Sequence, residues 1–402
     1  MTLPPAQVID DGVPAFSPDG RTVAFERFIA AGFSDIFLVP VAGGEPTRLT
    51  FMDGEPGGLA WTSDGREIVF SRHGGLWRIP ASGGTAKRLI GVGDNPTEPA
   101  ISMQGTRLAY THRAHDINIW RLDTKAVGEV PPAKFISSTR HETGPQFSSD
   151  GRRIVFQSDR SGTNEVWVCD SDGGNALQLT SFGGGTPRWS PDSQSIVFDS
   201  RSSGNPDIYV VSASGGSPRR ITTEASEDVI PSWSRDGRWV YFASNRSGTM
   251  QVWKIPVEEE AGEGRSAVQV TRHGGFAAFE SPDGKYVYYA KSRDPENAIW
   301  RISAEGGEEA PVIKLFSSGW GHWAVVETGI YFVDRLATPS SDGRWIVNFF
   351  NFDQERSAEI ATLSDPPHPR GPGLSVFPDG RWILFTQVDE SGSDLMLVKN
   401  FH

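Results

Sequence analysis

The sequence contains a single cysteine, Cys169, among its 402 residues. One cysteine allows no internal disulfide and no cysteine-ligated zinc site. No run of 18 apolar residues occurs, so no transmembrane helix is expected. Positive charge is scarce as well, because 38 Lys and Arg against 50 Asp and Glu leave a net charge of −12. This balance disfavours nonspecific binding to nucleic acid or to an anionic membrane.

The common catalytic and phosphate-binding motifs are also missing from the sequence. It has no G-x-S-x-G nucleophile elbow, no H-E-x-x-H zinc motif, no Walker loop and no EF-hand loop. The glycines at 183–185 precede a predicted strand and not a helix, so they do not form a phosphate loop. These absences predict no cofactor, no metal and no hydrolase activity. The start of the chain, residues 1–5, shows no signal-peptide pattern, which favours a cytoplasmic location.

A repeated turn is what the sequence does contain. Ser17-Pro18-Asp19-Gly20 is the first copy, and related turns end at positions 65, 105, 151, 193, 237, 284 and 380. Pro fixes φ, Asp accepts hydrogen bonds from local amides, and Gly supplies the positive φ that closes a hairpin. Short apolar strands flank each turn, and no stretch has helical periodicity. The repeating unit therefore reads as four short antiparallel strands.

The spacing of the turns sets the predicted number of units. Successive turns are 40 to 47 residues apart, except for one step of 96 residues, which is two periods. A degenerate unit is therefore placed at residues 320–363, with Thr328-Gly329 as its turn. Four-stranded units with a period of 40–45 residues are typical of a β-propeller.

The predicted fold is an all-β propeller of nine four-stranded antiparallel blades in one domain over residues 1–402, with eight blades as the alternative. Residues 5–9 are expected to add a closing strand to the last blade, which otherwise has three. The predicted blades are 13–50, 57–90, 98–138, 144–180, 186–222, 229–271, 276–316, 320–363 and 371–402.

The repeat resembles the TolB-type β-propeller repeat and, more broadly, WD40-like repeats. Residues 147–180 carry nearly the whole pattern: the Ser-Ser-Asp-Gly turn, Ser-Asp-Arg-Ser-Gly, a Trp strand, Gly-Gly and Gln-Leu-Thr. The chain is most similar to the propeller domains at the C-terminus of bacterial winged-helix transcriptional regulators. No winged helix is present in this sequence, so the resemblance implies a sensing or protein-binding role and no direct DNA binding.

An arginine recurs just after the second strand of almost every unit. The candidate binding-face arginines are Arg72, Arg113, Arg160, Arg201, Arg246, Arg293 and Arg335. Acidic residues recur in the loops that lead into the first strands, such as Glu142 and Asp228. The arginines are interpreted either as a structural belt of Arg–carboxylate pairs or as a funnel for an anionic peptide or ligand.

Two further candidates, Trp320 and His322, begin the degenerate unit, with Gly319 and Gly321 on either side of Trp320. An exposed loop at an irregular unit is a place where binding residues concentrate. The tryptophans that recur at one strand position are instead expected to pack between blades.

Together these features predict a monomeric, non-enzymatic binding or sensing propeller with a protein or peptide partner. The alternative is a hydrolase or lyase with an active site in a polar central channel. Converging carboxylates or histidines in the channel would favour the enzyme.

Overall fold

The computed structural model describes residues 10–30, 33–51, 57–72, 74–93, 95–126, 128, 130–258, 266–291, 298–315, 321–335, 344–368 and 372–401. Within these ranges it contains 33 β-strands and no α-helix. An all-β fold of antiparallel blades is therefore confirmed. Among the described residues no helix has the length and hydropathy that a membrane crossing requires.

Seven sheets are four-stranded meanders in which each strand pairs with the next. Sheet 1 has β1 (Asp10–Phe16), β2 (Thr22–Ala30), β3 (Phe33–Pro40) and β4 (Thr47–Arg48), and sheet 2 has β5 (Leu59–Trp61), β6 (Glu67–Arg72), β7 (Gly75–Pro80) and β8 (Lys87–Arg88). Sheet 4 has β12 (Glu142–Phe147), β13 (Arg153–Ser158), β14 (Glu165–Asp170) and β15 (Leu177–Gln178). Sheet 5 has β16 (Gly185–Trp189), β17 (Ser195–Ser203), β18 (Asn205–Ser212) and β19 (Arg219–Arg220). Sheet 6 has β20 (Asp228–Trp233), β21 (Trp239–Ser244), β22 (Gln251–Pro256) and β23 (Val268–Gln269). Sheet 7 has β24 (Phe276–Glu280), β25 (Tyr286–Ala290), β26 (Ala298–Ser303) and β27 (Ala310–Lys314), and sheet 8 has β28 (Trp323–Val326), β29 (Gly329–Arg335), β30 (Trp345–Asn351) and β31 (Arg356–Leu363).

Sheet 3 is different, because it combines two distant parts of the chain. It contains β9 (Pro96–Ile101), β10 (Arg107–Asp123), β11 (Ala133–Ile136), β32 (Leu374–Val376) and β33 (Trp382–Lys399). Its order is β11-β10-β33-β32, and β9 also pairs with β10. The predicted count of nine blades is therefore not confirmed: the described chain forms eight sheets, since the predicted blades 98–138 and 371–402 share one. Residues 5–9, the predicted closing strand, lie outside the described residues.

The two long strands explain this difference. β10 has 17 residues and β33 has 18, whereas the other strands of sheet 3, β9, β11 and β32, have 6, 4 and 3. In sheets 4 and 5 a Gly-containing hairpin turn separates the second strand from the third. The corresponding stretch 111–116 contains neither Gly nor Pro, so nothing in it favours a turn. β10 therefore continues through this stretch without a turn, and it pairs with β33.

The described chain also divides into two compact units. Unit 1 comprises residues 1–115 and 390–402, and unit 2 comprises residues 116–389. The boundary falls within β10 and within β33. In unit 1, sheets 1 and 2 and the β9 side of sheet 3 stack in order, and buried apolar clusters fill the spaces between them.

Unit 2 is a closed ring of six sheets. The first strands of sheets 4 to 8 contact one another in sequence, and β32 contacts both β12 and β28, which completes the cycle. A buried apolar cluster lies between each pair of neighbouring sheets. The first strands therefore surround the axis of the ring, as in a β-propeller.

Hydrogen bonds of side chains fix the repeated turns. The Ser281 hydroxyl donates to the Asp283 carboxylate at 2.7 Å, and the Lys285 amide donates to the same carboxylate at 3.1 Å. The matching Ser/Thr–Asp bonds recur in five other turns, at Asp19, Asp64, Asp150, Asp192 and Asp236. Each Gly or Ser that closes such a turn has a positive φ, for example 71° at Gly284.

A second recurring contact explains the threonine that ends several fourth strands. The Thr50 hydroxyl accepts a hydrogen bond from the Ile36 amide at 2.9 Å and donates to the Asp35 carboxylate at 3.0 Å. The same arrangement joins Thr180 to Glu165, Thr222 to Asp207 and Thr271 to Gln251. This clamp holds the short outer strand against the third strand.

The turn aspartates predict a loss of stability in acid. Hydrogen bonds from Ser281 and the Lys285 amide lower the pKa of Asp283 to about 2, below the ordinary 3.8. A carboxylate whose pKa is lower in the folded state stabilises the fold at pH values above its unfolded-state pKa. This stabilisation is lost as the pH falls through the folded-state pKa. We expect the free energy of unfolding, measured by urea denaturation, to fall between about pH 4 and pH 2.

Asp283→Asn isolates one turn in this experiment. The variant should be less stable than the wild type at pH 7, and the two stability curves should converge towards pH 2 as Asp283 becomes protonated. A stability difference that stays constant from pH 7 to pH 2 would show that the carboxylate charge does not stabilise the turn.

Candidate functional site

The candidate arginines Arg160 and Arg246 are engaged within their own sheets. The Arg160 Nη2 donates to the Glu142 Oε1 at 3.0 Å, and the Arg246 Nη2 donates to the Asp228 Oδ2 at 2.8 Å. Both carboxylate side chains are fully buried. Each guanidinium also lies 5.1 Å from the ring centroid of a third-strand tryptophan, Trp167 or Trp253. These contacts are those that a structural belt requires.

The other candidates do not converge on one site. Arg201 lies 3.5 Å from the Glu227 carboxylate of the next sheet, and Arg335 stacks over Trp345 at 5.7 Å. Arg72 of unit 1 stacks over Trp77 at 5.8 Å. Arg293, Trp320 and the side chain of Arg113 lie outside the described residues.

His322 is a buried residue and not part of an exposed loop. Its exposed fraction is 1%, and burial lowers its pKa to about 4, although the His368 backbone opposes this shift. A Cβ atom on Gly373 would lie 2.9 Å from the His322 Cε1, so the glycine makes room for the ring. The imidazole is therefore neutral at pH 7 and packs between sheets 8 and 3.

A β-bulge changes the direction of the first strand in most sheets. The pairing register shifts at this point in sheets 4 to 7, and φ is positive at Gly144, Thr186, Ile230 and Ala277. Side chains of the preceding sheet hold two of these bulges: Gln157 accepts from the Thr186 amide at 3.3 Å, and Asp199 accepts from the Ile230 amide at 2.8 Å. Positive φ is costly for a residue with a Cβ atom, so these contacts help to maintain it.

Arg188 follows the bulge of sheet 5 and reaches the ring axis. Its Nη1 donates to the Pro187 carbonyl at 2.8 Å and to the Gly144 carbonyl of sheet 4 at 3.4 Å. Its guanidinium carbon lies 5.5 Å from the Phe279 ring of sheet 7. A side chain of sheet 5 that contacts sheet 7 passes across the axis, because sheet 6 lies between them around the ring.

The guanidinium of Arg188 is buried without a carboxylate in contact. The residue is 4% exposed, and burial lowers its pKa to about 10, although the charge of Asp199 opposes this shift. Among the described residues it has no ion pair, and the hydrogen bonds that the structure shows for it are the two donated by Nη1. A cation in such a place remains charged at pH 7, and three N–H groups are available for an anionic or carbonyl oxygen.

Asp199 fixes the strand that carries Arg188. Its carboxylate accepts a hydrogen bond from the Thr186 hydroxyl at 2.5 Å, two residues before Arg188. Burial raises the pKa of Asp199, and the hydrogen bonds from Thr186 and Ile230 act against that rise. Asp199 is therefore a positioning residue for this part of the axis.

Arg188 is not among the residues predicted from the sequence, although a signal exists. In the other sheets with this turn, the second-last residue of the first strand is Ala15, Ala60, Ala100, Gln146, Ser232 or Phe279. Arg188 is the charged exception in this set. Alignment of the units by their turns therefore reveals the axial arginine.

The belt contacts predict a stability effect. Arg160→Ala and Arg246→Ala should each lower the free energy of unfolding by about 1–3 kcal/mol, because a buried carboxylate loses its partner. Arg238→Ala is the control, since the Arg238 side chain is 80% exposed and its pair with Asp236 lies on the surface. Urea denaturation measures all three variants, and equal small effects would contradict a structural role for the belt.

Comparison with known proteins supports the fold and corrects the functional prediction. Residues 181–310 match the TolB beta propeller domain. The uncharacterized peptidase YuxL of Bacillus subtilis is 33% identical over 107 residues, and the match covers 23% of this chain and 16% of YuxL. The prediction of a non-enzymatic binding or sensing module is wrong on this comparison, because that relative is named a peptidase.

The solved structures that resemble this chain do so at low sequence identity. TolB from Acinetobacter baumannii has a TM-score of 0.47 and 15% identity, over 84% of this chain and 79% of that chain. A puromycin-hydrolyzing peptidase from Mycobacterium tuberculosis has a TM-score of 0.42 and 12% identity, over 90% of this chain and 54% of that chain. The family match thus covers residues 181–310, which resemble the TolB beta propeller domain and form part of the ring of unit 2.

Proposed function

We propose that the protein is a hydrolase that acts on peptide substrates and binds the substrate carbonyl at the axis of unit 2. The observation that carries this proposal is Arg188, a buried guanidinium with free N–H groups at the ring axis. The similarity to a relative named a peptidase supports peptides as the substrate class. The runner-up among enzymes is a lyase.

Arg188 suits the chemistry of amide hydrolysis. Water adds to the peptide carbonyl, the C–N bond breaks, and the products are a carboxylic acid and an amine. Negative charge develops on the carbonyl oxygen in the transition state, and a preorganised donor in a site of low polarity stabilises it strongly. The carboxylate product is also a natural partner for the guanidinium fork.

Two contacts prepare Arg188 for this role. Its Nη1 is fixed by the Pro187 and Gly144 carbonyls, so the remaining N–H groups have a defined direction. Asp199 holds Thr186 and, from the same carboxylate oxygen, the bulge at Ile230. Neither contact neutralises Arg188 directly, which keeps its charge available for the substrate.

The proposal predicts that Arg188→Met abolishes peptide turnover. We expect the purified chain to cleave members of a fluorogenic aminomethylcoumarin peptide library, and the variant to lose about 10²-fold or more in kcat/KM. Arg188→Lys should retain part of the activity, because lysine keeps the charge but lacks the planar fork. The melting temperature of Arg188→Met should hold or rise, since a buried unpaired charge has been removed.

Arg152→Met is the matched control, because Arg152 is exposed in the turn of sheet 4. It should keep full activity when prepared in the same way, which also excludes a contaminating peptidase. No turnover across the library, or full turnover by Arg188→Met, would refute the proposal.

A further inference from the structure

A groove of about 620 Å³ lies between sheets 7 and 8 of unit 2, apart from Arg188 and its contacts. Its walls come from the turn of sheet 7, the outer strands of that sheet and the β30–β31 hairpin of sheet 8. The lining residues include the aromatic side chains of Tyr286, Tyr288 and Phe352 and the carboxylates of Asp283, Glu327 and Glu355.

The groove exists because the turn of sheet 8 is short. Residues 281–285 join β24 to β25, whereas only Glu327 and Thr328 join β28 to β29. Between sheets 5 and 6 the neighbouring turns touch, since a Cβ atom on Gly237 would lie 3.8 Å from Pro191. The degenerate unit therefore leaves open the space that a full turn would fill.

Aromatic rings form the floor of the groove. Tyr288 stacks on Phe352 with ring centroids 5.6 Å apart, and Phe350 lies edge-on to Phe352 at 6.3 Å. Tyr288 and Phe350 are buried, whereas Tyr286 is 37% exposed at the rim. Ring faces of this kind attract a cation, most strongly where water is excluded.

The charges around the groove are mainly negative. Three carboxylates, from Asp283, Glu327 and Glu355, line it with one cation, Arg301. Arg301 already stacks over Tyr286 at 4.8 Å, and Asp283 already pairs with Lys285 at 3.1 Å. Glu327 and Glu355 form no ion pair among the described residues; Glu327 only attracts Arg235 at longer range. The rim therefore complements a positive group.

We propose that this groove binds a peptide segment that presents an arginine or lysine side chain. The aliphatic part of the side chain lies on the aromatic floor, and its charged end meets the carboxylates of Glu327 and Glu355. This site does not depend on the proposed hydrolase activity, because none of its residues contacts Arg188.

Equilibrium binding of a labelled peptide tests the proposal. The probe is fluorescein-Gly-Gly-Arg-Tyr-Gly-Gly, and its counterpart carries citrulline, which has nearly the shape of arginine without the charge. We expect fluorescence anisotropy to show that the citrulline peptide binds at least about tenfold more weakly than the arginine peptide. Glu327→Gln/Glu355→Gln should weaken the arginine probe to the same extent and leave the citrulline probe unchanged. Tyr286→Leu should weaken the arginine probe also.

Glu224→Gln/Glu308→Gln is the control, because it removes the same charge from exposed positions outside the groove. It should bind the arginine probe as the wild type does. Equal binding of the two probes by the wild type would overturn the proposal, and so would an equal loss of affinity for the arginine probe in the two double variants. A groove that binds a neutral oligosaccharide such as cellotetraose and not the arginine probe would also overturn it. Repeating the titration with Arg188→Met keeps the result separate from turnover, since binding should be unchanged there.

Discussion

The architecture of unit 2 depends on the pairing of the two long strands, because that pairing supplies the sixth sheet of the ring. Asp389 accepts hydrogen bonds from the Asn118 amide group and the Trp120 indole, both at 2.6 Å, and Lys134 approaches it at 2.7 Å. Thr124 donates to the Arg381 carbonyl at 2.8 Å at the other end of the same contact. The paired strands then pack on sheet 4 through one apolar cluster and on sheet 8 through another. Without this sheet the five others would form an open stack, and the axis that holds Arg188 would not be enclosed.

The surroundings of an arginine inside the ring determine whether it stabilises a sheet or can interact with a ligand. Arg160 lies next to a buried carboxylate and forms part of the sheet, whereas Arg188 has only carbonyl oxygens and an aromatic face beside it. Burying a charge without an opposite charge in contact is unfavourable, so the ring gives up stability at this position. Such a group interacts strongly with an oxyanion, because the surroundings screen the attraction poorly. The same desolvation that costs stability thus supports the proposed chemistry.

Much of the fold could be predicted because its determinants are local. The Ser-Pro-Asp-Gly turns and the strands beside them follow from a few adjacent residues, and β28 to β31 all lie within the degenerate unit predicted at residues 320–363. The pairing of β10 with β33 could not be predicted in this way, because it joins residues more than 250 positions apart and depends on a turn that does not form. The position of Arg188 at the axis also required the ring, since the contact with Phe279 links sheets that are not neighbours. The arginine belt was visible because it repeats, but repetition alone could not show whether its partners were in the protein or in a ligand.

In this protein the repeated features stabilise the sheets, and the exceptions to the repeat form the candidate sites. Stacked units benefit equally from one contact at one position, so a residue that recurs in most units has a shared structural cause. The turn aspartates, the threonine clamps and the belt arginines all behave in this way. Arg188 occupies a position that is neutral in the sheets with the same turn, and the groove beside Glu327 exists because one turn is three residues shorter than its neighbour. Such departures from the repeat weaken local packing and do not stabilise the neighbouring sheets. A role in binding or catalysis therefore explains Arg188 and the groove better than a structural role does.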